Sequence, residues 1–354
     1  MGKNILVLTD DRTGNRTQAI VVSGIVSEFL DSKGIPNKVD FQEIRFKSPL
    51  ARNMLVFGGP LAGRSPGTCL WWLKASLQPD IYRSLSEKKP DIVISGGSAT
   101  APVNVAFSRA VRARSIAVMR PSLVGLDNFD LVIIPRHDHP PALKNVVVTE
   151  GVLNMVGTRQ ASEYSRDLLW SLKREKPART RIGLLLGGHA KSFRLTEAHA
   201  AEVIKQVKMA AQDLDGQIFV STSRRTPPEV ESLVKREFSG HGRCRLMVIA
   251  NEKNIPGVVH AILAASDAVV ISPESMMMIS EAVNSGKYVI VFEAPGAKAR
   301  HMDFLDHFAK SKYIYMTSPS TVRHAIKDIL AVRPPPRAPS GDVSSVKEAL
   351  EAIL

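Results

Sequence analysis

The residues that could do chemistry gather at four junctions where an apolar run gives way to a polar or glycine-rich turn. They are Asp10-Asp11-Arg12-Thr13-Gly14-Asn15-Arg16, Ser95-Gly96-Gly97-Ser98-Ala99-Thr100, Gly187-Gly188-His189-Ala190-Lys191 and Ser272-Pro273-Glu274-Ser275. Each can turn backbone N–H groups toward a phosphate or a sugar, as turns that open helices do. Tight turns need glycine for their own sake, so one such loop carries little weight. Four across one chain point to a ligand held in a cleft beyond strand ends. Ser272, Ser275 and the helix they open suit a diphosphate. Glu281, six residues further into that helix, offers a carboxylate that can accept both hydroxyls of a ribose diol. Met276, Met277 and Met278 between them read as core filler. No GxxxxGK[ST] and no GxGxxG spacing occurs, which excludes a P-loop and the dinucleotide fingerprint.

These junctions need strands and helices to hold them. Short Val- and Ile-rich runs without alternation predict strands at Asn4–Thr9, Lys38–Phe41, Asp91–Ser95, Ser115–Met119, Leu131–Pro135 and Val146–Thr149. A second series follows at Arg181–Leu186, Gln217–Thr222, Arg245–Ala250, Ala268–Ser272, Tyr288–Glu293 and Tyr313–Met316. Unbroken apolar runs suit strands buried on both faces of a parallel sheet. Stretches such as Thr196–Gln212, Pro227–Phe238 and Ser275–Asn284 are long enough to be crossover helices. The fold class expected is α/β, with two doubly wound Rossmann-like domains facing a central cleft. The expected division is residues 1–160, 161–335, and a Pro-rich linker with a terminal helix at 336–354. That helix either frays or crosses back to the first domain.

Composition narrows the class of function. A chain of 354 residues with 44% hydrophobic and 23% charged residues is globular and large enough for two domains. No apolar run reaches the length of a membrane-crossing helix. The start, MGKNILVLTDD, reads as a first strand and not a secretory signal. Two distant cysteines, Cys69 and Cys244, form no zinc or disulfide pattern, so a reduced, cytoplasmic setting is expected. The net charge of +13 favours anionic partners. With only 6% aromatic residues and scattered basic ones, a nucleic-acid platform is not expected. Trp71 and Trp72, with Met54, Leu55, Val56 and Phe57 and with Arg45, Lys47, Arg52, Arg64 and Lys74 nearby, either pack in the first domain or face an acidic membrane surface.

Several strings together resemble a known family. The triplet Ser280-Glu281-Ala282, followed by Gly286-Lys287 and a closing strand, resembles the nucleotide-sugar half of GT-B glycosyltransferases. TDDRTGNRTQA (Thr9–Ala19), PRHDHPP with NVVVTEGVLN (Pro135–Asn154), the loop Gly187–Arg194 and STSRRTP (Ser221–Pro227) resemble the mitochondrial-fission "elongated mitochondria" family. Its bacterial members are described as candidate GT-B glycosyltransferases.

The resemblance implies that Glu281 holds the ribose of a nucleotide-sugar donor. Ser272, Ser275 and Met276 would hold its diphosphate, with Gly187, Gly188 and the pair Arg224-Arg225. Guanidinium forks bind phosphate oxygens bidentately, although the pair also reads as a solvated basic turn. His189 would touch the phosphates and His301 the sugar or base. On the acceptor side stand Gly14, Asn15, Gly96, Gly97, Ser98, His137 and His139. Related sequences often carry Gly-His at Gly14-Asn15; asparagine cannot act as a base, which leaves Asp10 or Asp11 to take the acceptor's proton or to cap the helix. His137-Asp138-His139 supplies at most two metal ligands, and GT-B proteins commonly work without metal, so no metal or other cofactor is expected. His199, His241, His260, His307 and His324 read as ordinary surface or helix histidines. The function implied is sugar transfer from a nucleotide-diphosphate donor to an unidentified, membrane-associated acceptor. Two alternatives stand beside it: a non-catalytic adaptor that keeps the fold, and a nucleotide-sugar epimerase or hydrolase.

Overall fold

The structure is a computed structural model that describes residues 2–11, 13–61, 65–122, 124–154, 156, 159–174, 179–190, 193–296, 299–338 and 341–354. Two compact units divide it: Met1–Leu153 with Gly341–Leu354, and Asn154–Ser340. Each is built around a six-stranded parallel sheet, so the α/β class with two Rossmann-like domains expected from the sequence is the one found.

The first unit's strands are β1 (Lys3–Thr9), β2 (Asn37–Glu43), β3 (Ile92–Gly96), β4 (Arg114–Val118), β5 (Leu131–Pro135) and β6 (Val146–Thr149). Its helices are α1 (Thr13–Ser32), α2 (Pro49–Leu61), α3 (Pro66–Ser76), α4 (Pro79–Ser86), α5 (Gly97–Val111) and, from the chain's end, α13 (Asp342–Ile353). The order β2-β1-β3-β4-β5-β6 reverses direction between β1 and β3. Every residue of β3 and β5 is buried, which explains why these strands are apolar without alternation. Leu6, Leu8 and Val93 pack against Leu73 and Phe107 on one face. Val132 and Ile134 pack against Ala101 and Val105.

In the second unit the strands are β7 (Thr180–Leu186), β8 (Gly216–Thr222), β9 (Cys244–Val248), β10 (Ala268–Ile271), β11 (Tyr288–Phe292) and β12 (Tyr315–Thr317). The helices are α6 (Arg159–Arg174), α7 (Glu197–Asp213), α8 (Pro228–Phe238), α9 (Val258–Ala265), α10 (Met276–Asn284), α11 (Ala299–Lys310) and α12 (Val322–Val332). The order β12-β11-β10-β7-β8-β9 is that of a dinucleotide-type Rossmann sheet, reversing between β7 and β10.

All twelve expected strands are present, and the differences lie at their ends. The run expected from Tyr313 begins at Tyr315, because the N–H groups of Tyr313 and Ile314 turn back to the Phe308 carbonyl and close α11. The run expected to reach Ala250 stops at Val248, because the Ile249 carbonyl accepts from Glu252 and Lys253 in a turn. The division between units falls at Leu153/Asn154, ahead of residue 160. Leu168, Leu169 and Leu172 of α6 pack into the second unit's core, which draws that segment with them. Helix α13 belongs to the first unit: Val346 and Leu350 are fully buried, and Asp342 accepts from the N–H groups of Glu150 (2.9 Å) and Gly151 (3.4 Å) beyond β6. Among the described residues no helix is long and apolar enough to cross a membrane.

Candidate functional site

In an open parallel sheet the loops leaving two neighbouring strands part company where the strand order reverses, and the gap accepts a ligand. In the second unit those strands are β7 and β10, which lead into Gly187-Gly188-His189 and Ser272-Pro273-Glu274-Ser275. Side chains of the second loop reach into the first. Ser272 Oγ accepts from the Gly187 N–H at 2.7 Å, and Glu274 Oε1 accepts from the Gly188 N–H at 2.8 Å. The turn after β8 joins them. The Thr226 hydroxyl donates to the Gly187 carbonyl, and the Arg225 carbonyl accepts from the His189 N–H at 3.1 Å. Within that turn Ser223 N–H donates to Thr226 Oγ1 at 2.8 Å.

This packing explains the two glycines. A Cβ on Gly187 would lie 1.4 Å from Glu274 Oε1, and one on Gly188 would lie 1.8 Å from the Arg225 carbonyl oxygen. It also corrects the sequence reading. The resemblance implies that Gly187 and Gly188 help hold a diphosphate, yet the N–H groups of both are already satisfied by Ser272 and Glu274. The Ser272 hydroxyl is fully buried in this contact. Glu274, one of the residues of this turn, is 6% exposed. Burial raises its pKa, opposed by hydrogen bonds from Ser272 and backbone N–H groups and by the Arg225 charge. The acid is a strut between loops.

The start of α10 remains as the anion-facing part of the turn. Ser275 caps the helix, its Oγ accepting from the Met278 N–H at 3.4 Å, so its hydroxyl also has a structural partner. Met276 is the first helical residue and packs partly against the core. His301, near the start of α11, donates from Nε2 to the Pro273 carbonyl and is thereby fixed to the same turn. Arg224 and Arg225 are exposed beside it in sequence order after β8. Lys191, Ala297 and Lys298 lie outside the described residues.

Glu281 lies further along α10 with 17% of its side chain exposed, and burial pushes its carboxyl up to about 7. At that value the group is half ionised near neutral pH, poised to accept a hydroxyl once a ligand favours its charged form. Its neighbour is His260, the third residue of α9, whose Nε2 lies 4.0 Å from Glu281 Oε1. His260 is a helix histidine, as the sequence suggests, but a mostly buried one with a carboxyl beside it. Burial lowers its pKa. The pairing arises from the packing of two helices, and no local motif announces it.

The first unit repeats the logic between β1 and β3. Asp10 is buried and accepts from Asn15 Nδ2 at 3.1 Å; Asp11 is exposed. A Cβ on Gly96 would lie 2.2 Å from the Asn15 carbonyl oxygen. Gly97, at φ +74°, leaves room for the Asn15 side chain, 2.5 Å from where its Cβ would stand. Asn15 thus lies closely against Gly96 and Gly97 of the β3 loop while its amide holds Asp10. Ser98 Oγ accepts from the Ser122 N–H at 2.9 Å. His137 is buried after β5 with Asp138 Oδ1 4.0 Å from its Nε2. His139 is left-handed at φ 47°, and Arg120 clamps the turn by donating to the carbonyls of Asp138 and His139 at 3.1 Å. Among the described residues no three His, Cys, Asp or Glu side chains come together as a metal site. Trp71 is 60% exposed and meets the half-buried Trp72 edge to face; the side chains of Phe57 and Arg64 are outside the described residues.

Comparison with known proteins places this geometry. The UDP-GlcNAc 2-epimerase of Methanocaldococcus jannaschii has a similar structure, with a TM-score of 0.61 at 11% identity over 99% of each chain. That of Neisseria meningitidis, bound to UDP-GlcNAc, gives 0.56 at 12% identity, again over 99% of each chain. Identities this low speak to the fold alone. The uncharacterized protein RP120 of Rickettsia prowazekii (strain Madrid E) is 23% identical over 338 residues, 87% of this chain and 89% of that protein. The family described as mitochondrial fission ELM1 matches residues 14–329, and the chain belongs to that family.

Proposed function

We propose that the second unit binds a nucleotide-diphosphate sugar and that the protein transfers the sugar to an acceptor held by the first. The observation that carries the reading is Glu281, a mostly buried carboxyl on the helix that opens where the β7–β10 strand order reverses. The Glu281 carboxylate accepts the ribose hydroxyls. The N-terminus of α10 faces the diphosphate with Arg224 and Arg225, and His301 is held beside them. In the reaction an acceptor hydroxyl forms the new bond to the anomeric carbon as the bond to the diphosphate breaks. Asp11 takes the hydroxyl proton, and Asp10, engaged by Asn15, supports the loop. The negative charge that develops on the leaving nucleotide is stabilised by the helix N-terminus and the two arginines.

A second reading has a specific observation behind it: the similar structures include UDP-GlcNAc 2-epimerases. An epimerase or hydrolase would use the same donor residues and alter the sugar with no acceptor present. An acidic lipid surface as the acceptor's location is supported by exposed Leu50, Met54 and Trp71 with Lys47 and Lys74 close in sequence. Co-sedimentation with phosphatidylserine vesicles, lost for Trp71→Ala or at 0.5 M salt, is the expected result; equal recovery with neutral vesicles contradicts it.

A thermal-shift panel of UDP-, GDP-, ADP- and CMP-sugars tests the donor site. Ligand at about 100 times its Kd adds about 2.7 kcal/mol. The expected outcome is stabilisation by one nucleotide class, abolished in Glu281→Ala. Silence across the panel favours a non-catalytic adaptor.

A further inference from the structure

Two ionisable side chains of the second unit meet from two helices, α9 and α10. His260 on α9 and Glu281 on α10 approach to 4.0 Å, Nε2 to Oε1. The His260 Nε2 is buried and has no hydrogen-bond partner among the described residues. A buried polar atom left without a partner costs free energy, so a role beyond packing is implied. The distance is about 1 Å longer than a hydrogen bond and closes with a small side-chain rotation.

The pair is mostly buried, with 23% of the His260 side chain and 17% of the Glu281 side chain exposed. In the core formed by α10, β10 and β11, Ile279, Ala282, Val269, Ile271, Val289 and Val291 are all buried. On α6, which packs against α9, the described ionisable residues Arg166 and Asp167 are exposed. Lys287, beyond the end of α10, donates to the Ala264 carbonyl at the far end of α9. Arg181 and Asp267 belong to the opposite end of the sheet, where the Arg181 N–H donates to Asp267. Burial alone displaces the two groups, upward for Glu281 and downward for His260.

We propose that His260 is the proton partner of Glu281: when a nucleotide's ribose engages the carboxylate, the carboxyl proton passes to His260 Nε2. The proposal rests on the donor-site reading and deepens it. Before binding, the pair holds one proton, on Glu281, in slightly acidic solution. The ribose hydroxyls donate to the carboxylate and stabilise its charged form. The displaced proton bonds to the imidazole instead of entering solvent, leaving a carboxylate–imidazolium pair. No net proton is released, and affinity stays level as the pH falls. Without His260 the proton must leave, and each pH unit below the carboxyl's pKa weakens binding about tenfold. His260 is a positioning residue in this scheme and need not touch the nucleotide.

Calorimetric titration with UDP-GlcNAc, whose diphosphate diester does not titrate in this range, tests it. At pH 6, titrations in buffers of different ionisation enthalpy count protons. The wild type is expected to release none, and His260→Gln about one. Between pH 7 and 5.5 the variant's Kd should rise about sixteenfold while the wild type's changes less than about threefold. Release of about one proton by the wild type, or a level pH profile in a folded His260→Gln, overturns the proposal. The wild-type proton count decides the matter even where the variant fails to fold. No binding of UDP-GlcNAc to the wild type at millimolar concentration removes the donor-site reading and this proposal together.

Discussion

At the scale of single residues, the second unit keeps two buried acids close to one turn and gives them different work. Glu274 is bound to the Gly188 N–H and holds two loops together, whereas Glu281, among the described residues, has the imidazole of His260 beside it at 4.0 Å. The difference follows from where each carboxyl ends up. Ser272 and Ser275 are legible in the sequence as residues of a turn that opens a helix, because N-caps have recognisable positions, and Glu281 as a carboxylate on that helix. Glu274 is not, since a glutamate after proline at a helix start also reads as a favourable first-turn charge. Its inward course depends on Gly187 having no side chain, which is a tertiary fact. Gly187→Ala should therefore cost about 1–3 kcal/mol, because the new methyl must displace the Glu274 carboxylate. Urea unfolding measures this; an unchanged midpoint would show that the strut is dispensable. The raised pKa of Glu281 adds a pH signature. Its native state binds more protons than the unfolded chain between about 4.5 and 7, so its contribution falls as pH rises through that window. His260 acts with the opposite sign, its depressed pKa removing stability as pH falls.

At the scale of elements, the strands are the most legible feature because parallel, doubly covered strands must be apolar along their whole length. Their ends are less so, being set by turn hydrogen bonds such as those to the Phe308 and Ile249 carbonyls. Helix α13 shows a different limit. Its sequence is amphipathic, but nothing local states which surface will receive it. Burial of Val346 and Leu350 against the first unit, with Asp342 on the Glu150 and Gly151 N–H groups, supplies the answer. Burial raises the Asp342 pKa, held back by those hydrogen bonds. Leu350→Ala should cost about 2–5 kcal/mol. Hydrogen exchange in such a variant should speed up in α1, which packs on α13, while α7 to α12 keep their protection. Uniform loss across the chain would contradict the assignment of α13 to the first unit.

At the scale of the whole molecule, two sheets with different strand orders each reverse direction once, and the four loops after β1, β3, β7 and β10 fall at those two reversals, whereas PRHDHPP and STSRRTP follow β5 and β8. That coincidence made the fold and family readable from Ser-, Gly- and Asp-rich strings. The surplus of +13 fits anionic ligands in general and does not choose among them. The reaction is less legible than the fold, because the same donor-binding arrangement serves transfer, epimerisation and hydrolysis. Acceptor-free product analysis separates these chemistries once a donor is known. The central claim is the location of the donor, and hydrogen–deuterium exchange with and without the stabilising nucleotide-sugar tests it most directly. Slower exchange is predicted in 272–285 and 223–226, with the effect in 272–285 lost in Glu281→Ala. Binding accompanied by protection confined to other segments, leaving α10 unchanged, would contradict the account.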